Sequence, residues 1–346
     1  MNIWKAMKRD DLEQLVFCQD RESGLQAVIA LHSTRLGPAL GGCRMWAYPS
    51  EKEAVRDAIR LARAMSYKCA ISGLPYGGGK AVIWSQPDTD RKAQALRMLG
   101  RFIEGLHGQY ISGLDLGTSV ADMDMIRMET SHVTDTSGSL GATNDFTAEM
   151  TAYGVMLGIQ AALKQLDGSD RLAHRSITIQ GLGKVGYFLC RYLSKAGAEI
   201  TVCDIDPGRV KRVMEQFGAR AAAVEHIYDT SCDVFAPCAL GGILNSHTIP
   251  RLRCRVIAGA ANNQLAAGRY GHMLHKLGIL YAPDYVINAG GIIVTAAELN
   301  GDNAAMAKKQ VEHIRHTLSL VFQYARLHRI SSAVAADRLT RQRLGL

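Results

Sequence analysis

The chain has 346 residues, 47% hydrophobic and 21% charged, with 34 glycines. That composition excludes a disordered or collagen-like chain, and the length exceeds the ~250–300 residues of one core, so two domains are expected. The 40 Lys and Arg against 32 Asp and Glu leave a net charge of +8; the basic residues are spread out, densest at Arg338, Arg341 and Arg343, which reads as a solvated face and not a nucleic-acid patch. No uncharged apolar run of ~18 residues predicts a membrane span. The first residues, MNIWKAMKRDDLEQ, lack a signal-peptide core. Eight cysteines without a C-x-x-C point to reduced thiols and a cytoplasmic setting.

Pro49 and Ser50 open the first strong helix. Ser50 and Glu53 have capping-box spacing, and Val55, Ala58, Ile59, Ala62 and Met65 repeat with the helical period. A turn-rich stretch, Ser72 to Lys80, precedes a buried strand at Ala81-Val82-Ile83-Trp84. Gly77-Gly78-Gly79-Lys80 is not a P-loop. Leu74 stands where the first glycine belongs, Ala81 replaces the Ser or Thr, and a strand follows instead of a helix. The glycines instead allow close approach of a ligand or another segment, and they set one lysine on a rigid neck. Tyr110-Ile111-Ser112 reads as a strand ended by Gly113-Leu114-Asp115. Asp115 is there either a functional carboxylate or turn chemistry.

In the second half, Ser176 to Gln180 is β-type, Gly181-Leu182-Gly183-Lys184-Val185-Gly186 follows, Tyr187 to Lys195 reads as a helix, and Glu199 to Asp204 is a strand ending in an acid. This is G-x-G-x-x-G in its full strand-turn-helix-strand context and predicts a dinucleotide site. Gly181 permits the tight turn, Gly183 the approach of the pyrophosphate, and Gly186 the close packing of the helix, whose N-terminus attracts the anion. Asp204 is placed to accept from the adenosine ribose and repels a 2′-phosphate, so NAD is favoured over NADP. Asp206 adds to that repulsion, and Arg209 argues against it.

Further strands are expected at Asp233 to Ala236, Arg255 to Gly259 and Ile279 to Ala282, giving a doubly wound parallel sheet. Amide-rich loops at Ala260 to Gln264 and Val286 to Gly291 suit a nicotinamide carboxamide or, alternatively, turn capping. One long helix is expected from Asn303 to Arg329, with Val311, Ile314, Leu318, Val321 and Ala325 on one stripe, and a last one from Ser332 to Leu344. The pairs His272/His275 and His313/His316 lack a third ligand, so no metal site is expected.

Taken together, these motifs resemble the leucine/phenylalanine/valine dehydrogenases of the glutamate dehydrogenase superfamily. The resemblance rests on Leu36 to Met45, Leu74 to Lys80, Thr151-Ala152-Tyr153-Gly154-Val155, Ala236 to Gly241, Ala260 to Leu265 and Pro283 to Gly291. It implies an α/β fold of two domains: an N-terminal α/β catalytic domain over 1–145, joined by C-terminal helix 331–346, and a Rossmann-type NAD-binding domain over 146–330, with a cleft between them. It implies NAD-dependent oxidative deamination of an L-amino acid to a 2-oxo acid and ammonium, in a homo-oligomer.

By position, Lys68 resembles the lysine that holds the substrate carboxylate, Lys80 the catalytic lysine and Asp115 the acid/base. Thr151, Cys238, Ala239, Lys184, Val185, Asn262 and Asn288 resemble cofactor contacts, Asn262 also a substrate contact. Leu40, Gly41, Met65, Gly113, Ile292 and Thr295 resemble the side-chain pocket. Gly113, smaller than the alanine of leucine-type enzymes, suggests room for a ring. With the tryptophan-dehydrogenase-like stretch Cys238 to Leu265, it favours an aromatic substrate, Phe or Trp, over a branched aliphatic one. Three departures from the family stand out. Phe146 to Met150 lacks the usual prolines and enters the expected hinge, Leu114 replaces a common Glu, and Gln86 precedes Pro87. The altered hinge keeps open a catalytically weak, NAD-binding regulatory relative.

Overall fold

The computed structural model describes residues 2–84 and 89–346; the Gln86–Pro87 departure lies outside them. The chain divides into two units, residues 1–144 with 298–302 and 343–346, and residues 145–297 with 303–342.

The first unit opens with α1 (Ile3–Asp10), capped by Asn2 accepting from Lys5 N. Then come β1 (Gln14–Asp20), β2 (Leu25–Ser33), β3 (Ala39–Met45), α2 (Glu51–Ile71), β4 (Gly77–Ile83), α3 (Thr89–Glu104), β5 (Tyr110–Leu114) and α4 (Val120–Arg127). The strands form one mixed sheet in the order β1-β2-β4-β3-β5, with β4, β3 and β5 parallel. Side chains alternate between its faces. Ile29, Cys43 and Ile83 pack with Leu96, Leu99 and Ile103 of α3. Val28, Ala30 and Val82 pack with Val55, Ala58 and Ile59 of α2.

Ser50 caps α2, but the helix runs on to Ile71 and so carries Lys68 in its last turn. The turn-rich expectation for Gly77 to Gly79 is corrected: all three lie inside β4, buried. A Cβ on Gly78 would stand 2.0 Å from Ser66 N and 2.5 Å from Ala62 O, so α2 and β4 meet backbone to backbone. Each glycine serves a different neighbour: Gly78 the helix, Gly77 the Ser33 carbonyl at the end of β2, and Gly79 the Tyr110 ring of β5.

The second unit holds α5 (Phe146–Asp167), β6 (Ser176–Gln180), α6 (Lys184–Lys195), β7 (Glu199–Cys203), α7 (Pro207–Phe217), β8 (Arg220–Ala221), β9 (Ser231–Pro237), β10 (Arg253–Ile257), α8 (Arg269–Lys276), β11 (Leu280–Tyr281), α9 (Asp284–Ile287), α10 (Gly290–Leu299), α11 (Ala304–Val311), α12 (His313–His328) and α13 (Ser332–Leu344). Its six strands are parallel in the order β11-β10-β9-β6-β7-β8. That is the doubly wound dinucleotide-binding order, which reverses direction between β6 and β9.

Two expectations are corrected here, and two further segments are placed. The helix from Asn303 to Arg329 is two helices, because i→i+3 bonds at Glu312 and Arg315 tighten one turn. Val286 to Gly291 is not a strand-end loop but the join of α9 and α10. Phe146 to Met150 forms the start of α5, a helical stretch that the prolines of the family pattern would restrict. Residues 332–342 group with the second unit and only Arg343 to Leu346 with the first. Ser332 Oγ donates to Tyr281 O and the Thr340 hydroxyl bonds that of Tyr285, which ties α13 to the second unit.

Candidate active site

In the first unit β4 and β5 deliver the titratable groups. Gly78, Lys80 and Val82 share the α2 face of β4 by strand alternation. Asp115 follows β5 at the first position of a turn closed by Thr118 N donating to Asp115 O at 3.1 Å. Gly117 in this turn has φ +83, and a Cβ there would lie 1.9 Å from Met45 O. The turn therefore needs glycine and fixes Asp115 against β3. The Thr118 hydroxyl accepts from Asp115 N.

Lys80 Nζ lies 3.0 Å from Asp115 Oδ2, with the lysine side chain 6% exposed and the aspartate 24%. Burial pushes the Lys80 ammonium below its ordinary value, with the Asp115 charge opposing. Burial alone would raise the Asp115 carboxyl, but the Lys80 charge and the Arg44 hydrogen bond hold it below the usual range. A buried lysine of weakened basicity beside an ionised carboxylate is an acid/base pair. Sequence reasoning placed Arg44 in a motif and gave it no role. Its Nε donates to Asp115 Oδ2 at 2.6 Å.

The proposed pocket residues fare unevenly. Leu40 is buried on β3, and Met65 Cγ lies 3.4 Å from where a Gly41 Cβ would stand. Lys68 is half-buried. Gly113 is crowded: a Cβ there would lie 2.6 Å from Asp135 Oδ2 and 2.7 Å from Thr134 Oγ1. Asp135 Oδ2 accepts from Leu114 N at 2.9 Å. Burial raises its carboxyl, and Glu298 adds to that. Neither acid was singled out in the sequence; the only local signal for Asp135 is an acid followed by Thr-Ser-Gly in a turn.

In the second unit Gly181 has φ +97, and a Cβ there would meet Ala239 at 2.7 Å. On Gly186 it would stand 2.0 Å from Gly181 O, while nothing lies within 4 Å of one on Gly183. Two of the glycines thus close the turn on itself and the third leaves an open cradle, the arrangement a pyrophosphate requires. The first bond of α6 runs from Tyr187 N to Gly183 O at 2.9 Å, so the N–H groups of Lys184, Val185 and Gly186 have no acceptor within the helix. Lys184 spends its charge on Asp145 Oδ1 at 2.6 Å, and so offers its backbone. Cys238 N donates to Gln180 O at the adjoining end of β9.

Asp204 Oδ2 accepts from Leu182 N at 2.6 Å and Oδ1 from Asp206 N at 2.9 Å, which fixes the carboxylate beside the turn. Arg209 is drawn to Asp206 at 3.3 Å and to Asp204 at 3.9 Å. Asn288 Nδ2 donates to Asn262 Oδ1 at 2.7 Å and to Ala260 O at 3.0 Å, joining the two amide-bearing segments. Asn288 Oδ1 is buried with no partner among the described residues. An orphaned acceptor beside the strand ends suits a carboxamide N–H₂. These features fit a nicotinamide dinucleotide. Thr151 donates to Thr147 O, and Thr295 to Gly291 O, so both hydroxyls serve their own helices; Ile292 is half-buried on α10.

Among the described residues no group of three or more His, Cys, Asp or Glu could hold a metal, and no helix is long and apolar enough to cross a membrane. Residues 13–132 match the family model described as Glu/Leu/Phe/Val dehydrogenase, dimerisation domain. Residues 141–211 and 205–336 match glutamate/leucine/phenylalanine/valine dehydrogenase. The chain is 51% identical to leucine dehydrogenase of Geobacillus stearothermophilus over 99% of its length and 94% of the relative's. It is 42% identical to phenylalanine dehydrogenase of Caldalkalibacillus thermarum over 96% and 91%. The crystal structure of L-tryptophan dehydrogenase from Nostoc punctiforme superposes with a TM-score of 0.89 at 42% identity, covering 99% of this chain and 98% of that one.

Proposed function

The chain belongs to the glutamate/leucine/phenylalanine/valine dehydrogenase family, and from that premise we propose that it oxidises an L-amino acid with an apolar side chain, using NAD. The balanced reaction is amino acid, NAD⁺ and water to 2-oxo acid, ammonium, NADH and a proton. The observation that carries the assignment is the pairing of buried Lys80 with half-buried Asp115, 3.0 Å apart, in a chain of this family.

The nicotinamide, when bound, supplies the hydride acceptor for the substrate Cα. The protein supplies the rest. Lys68 holds the substrate carboxylate by charge and hydrogen bonds. Asp115, held ionised, takes a proton from the substrate amino group. Lys80, its basicity lowered by burial, takes a proton from water as it attacks the iminium carbon. Asp115 then returns its proton to the carbinolamine nitrogen; as the C–N bond breaks and the carbonyl forms, the hydroxyl proton passes to the leaving ammonia to give ammonium, and Lys80 releases the proton it took to solvent. Gly181 to Gly186 and the N-terminus of α6 hold the pyrophosphate, and the fixed Asp204 carboxylate favours NAD by accepting from ribose hydroxyls and repelling a 2′-phosphate. Asn288 Oδ1 takes the carboxamide.

The assay decides between an aromatic side chain, which Gly113 favours, and a branched aliphatic one. The test is NADH formation at alkaline pH across twenty L-amino acids, with NADP as control and ammonium measured as product. Turnover of Leu, Ile, Val, Phe or Trp with stoichiometric ammonium supports the proposal. Silence across the panel, with NAD binding measured separately, refutes it. We further infer a homo-oligomer: Phe17, 49% exposed, lies on the sheet-edge strand β1, and light scattering giving a monomer mass would overturn this.

A further inference from the structure

We propose that Arg44 is a positioning residue, which aims Asp115 and holds it as a carboxylate by dividing one guanidinium between Asp115 and Asp57. The proposal rests on the role given to Asp115 above.

Arg44 is the penultimate residue of β3 and its side chain is 19% exposed. Nε donates to Asp115 Oδ2 at 2.6 Å and Nη1 to Asp57 Oδ2 at 2.8 Å. Asp57, on α2, is itself anchored. Its Oδ2 accepts from the Tyr48 hydroxyl at 2.6 Å, and its Oδ1 from Arg60 Nη2 at 2.6 Å. The guanidinium is thus held at its far end and presented to Asp115 at the near end, a fork geometry that lysine cannot copy. Lys80 and Arg44 converge on the same oxygen, Oδ2. Oδ1 is left as the oxygen that exchanges a proton with the amine.

The electrostatics have a sign that a merely structural contact would not produce. Lys80 from β4, Arg44 and Cys43 from β3 and Tyr110 from β5 surround Asp115, with Asp57, Arg60 and Tyr48 behind Arg44. Burial pushes Asp115 up, and Lys80 and Arg44 bring it down. Burial and the Arg44 charge both lower Lys80. Removing the Arg44 charge therefore moves both groups up. Neutralising Asp57 leaves the Arg44 charge less compensated and moves both down. The two changes lie on one chain of contacts and act in opposite directions.

The experiment compares Arg44→Gln, Arg44→Lys and Asp57→Asn with the unsubstituted full chain, reading kcat and kcat/KM against pH. Arg44→Gln is expected to shift the profile to alkaline pH by about one unit and to lower kcat roughly 10²-fold through misaimed Asp115. Arg44→Lys restores the profile and not the kcat. Asp57→Asn shifts the profile to acid pH. Arg44→Gln and Asp57→Asn shifting the same way, or neither shifting, overturns the proposal. If Arg44→Gln fails to fold, the direction of the Asp57→Asn shift decides alone. Isotope-edited infrared titration of the aspartate carboxyls, with Asp115→Asn as blank, reads the same displacements without turnover. It therefore separates failure of the Arg44 assignment from failure of the dehydrogenase reading.

Discussion

Gly113→Ala tests the packing around β5 directly. The new methyl would lie 2.6 Å from Asp135 Oδ2 and 2.7 Å from Thr134 Oγ1, both closer than a Cβ tolerates. These are side-chain ends, so the site can yield, but only by moving Asp135 off the Leu114 N–H that it accepts at 2.9 Å. Overpacking costs about 1–3 kcal/mol, and a backbone donor left without its acceptor adds about 1–3 kcal/mol. A loss of about 2–4 kcal/mol is expected, the strain and the broken bond being partly alternatives. Asp135→Gly removes the nearer obstacle, leaving Thr134 Oγ1, and, since Asp135 holds a φ of 59°, also relieves a left-handed backbone. The double variant Gly113→Ala/Asp135→Gly should recover at least 1 kcal/mol relative to the sum of the singles. Urea unfolding of the four proteins, followed by fluorescence and circular dichroism, gives the cycle. The reasoning fails if Gly113→Ala is neutral with Asp135 in place. It also fails if Gly113→Ala leaves stability intact while exchanging aromatic for aliphatic turnover, because the methyl would then project into substrate space.

Lys80→Ala should lower kcat by about 10²–10⁴-fold while the Kd for NAD, measured by fluorescence quenching, changes less than about twofold; retained turnover removes Lys80 from its role. Asp204→Ala should weaken NAD and narrow the preference over NADP, since it removes both the ribose acceptor and the charge facing a 2′-phosphate. An unchanged ratio of the two kcat/KM values would reassign that selectivity to Asp206.

Sequence legibility followed the range of the interactions. Gly181, Gly186 and Asp204 were readable because the constraint on each is local: a positive φ, a helix start, a strand end. Five of the six parallel strands followed from the same alternation; β8, only Arg220–Ala221, carries no pattern long enough to read. The crowding of Gly113 by Thr134 and Asp135, 21 and 22 positions away, is announced by no local pattern. Gly77 to Gly79 read as a turn because glycine breaks strands on average, whereas here Ser33, helix α2 and Tyr110 each press so close to one of them that nothing larger fits. Arg44 was visible as a letter in a motif. Its two partners, Asp57 and Asp115, are brought together only by the sheet and α2. The break at Glu312 has no proline or glycine to mark it.

The last turn of α2 bears on the order of events in synthesis. Arg343 Nη1 donates to Ala70 O at 3.0 Å and also to Ile71 O, and Arg35 Nη1 donates to Leu344 O at 3.2 Å. The carbonyls of Lys68, Cys69 and Ala70 are closed locally by the N–H groups of Ser72, Leu74 and Gly73, whereas that of Ile71 takes its donor from a residue 272 positions downstream. A ribosome emitting this chain releases the whole first sheet early, yet the last carbonyl of α2 waits for nearly all of the second unit to be made before its Arg343 donor exists.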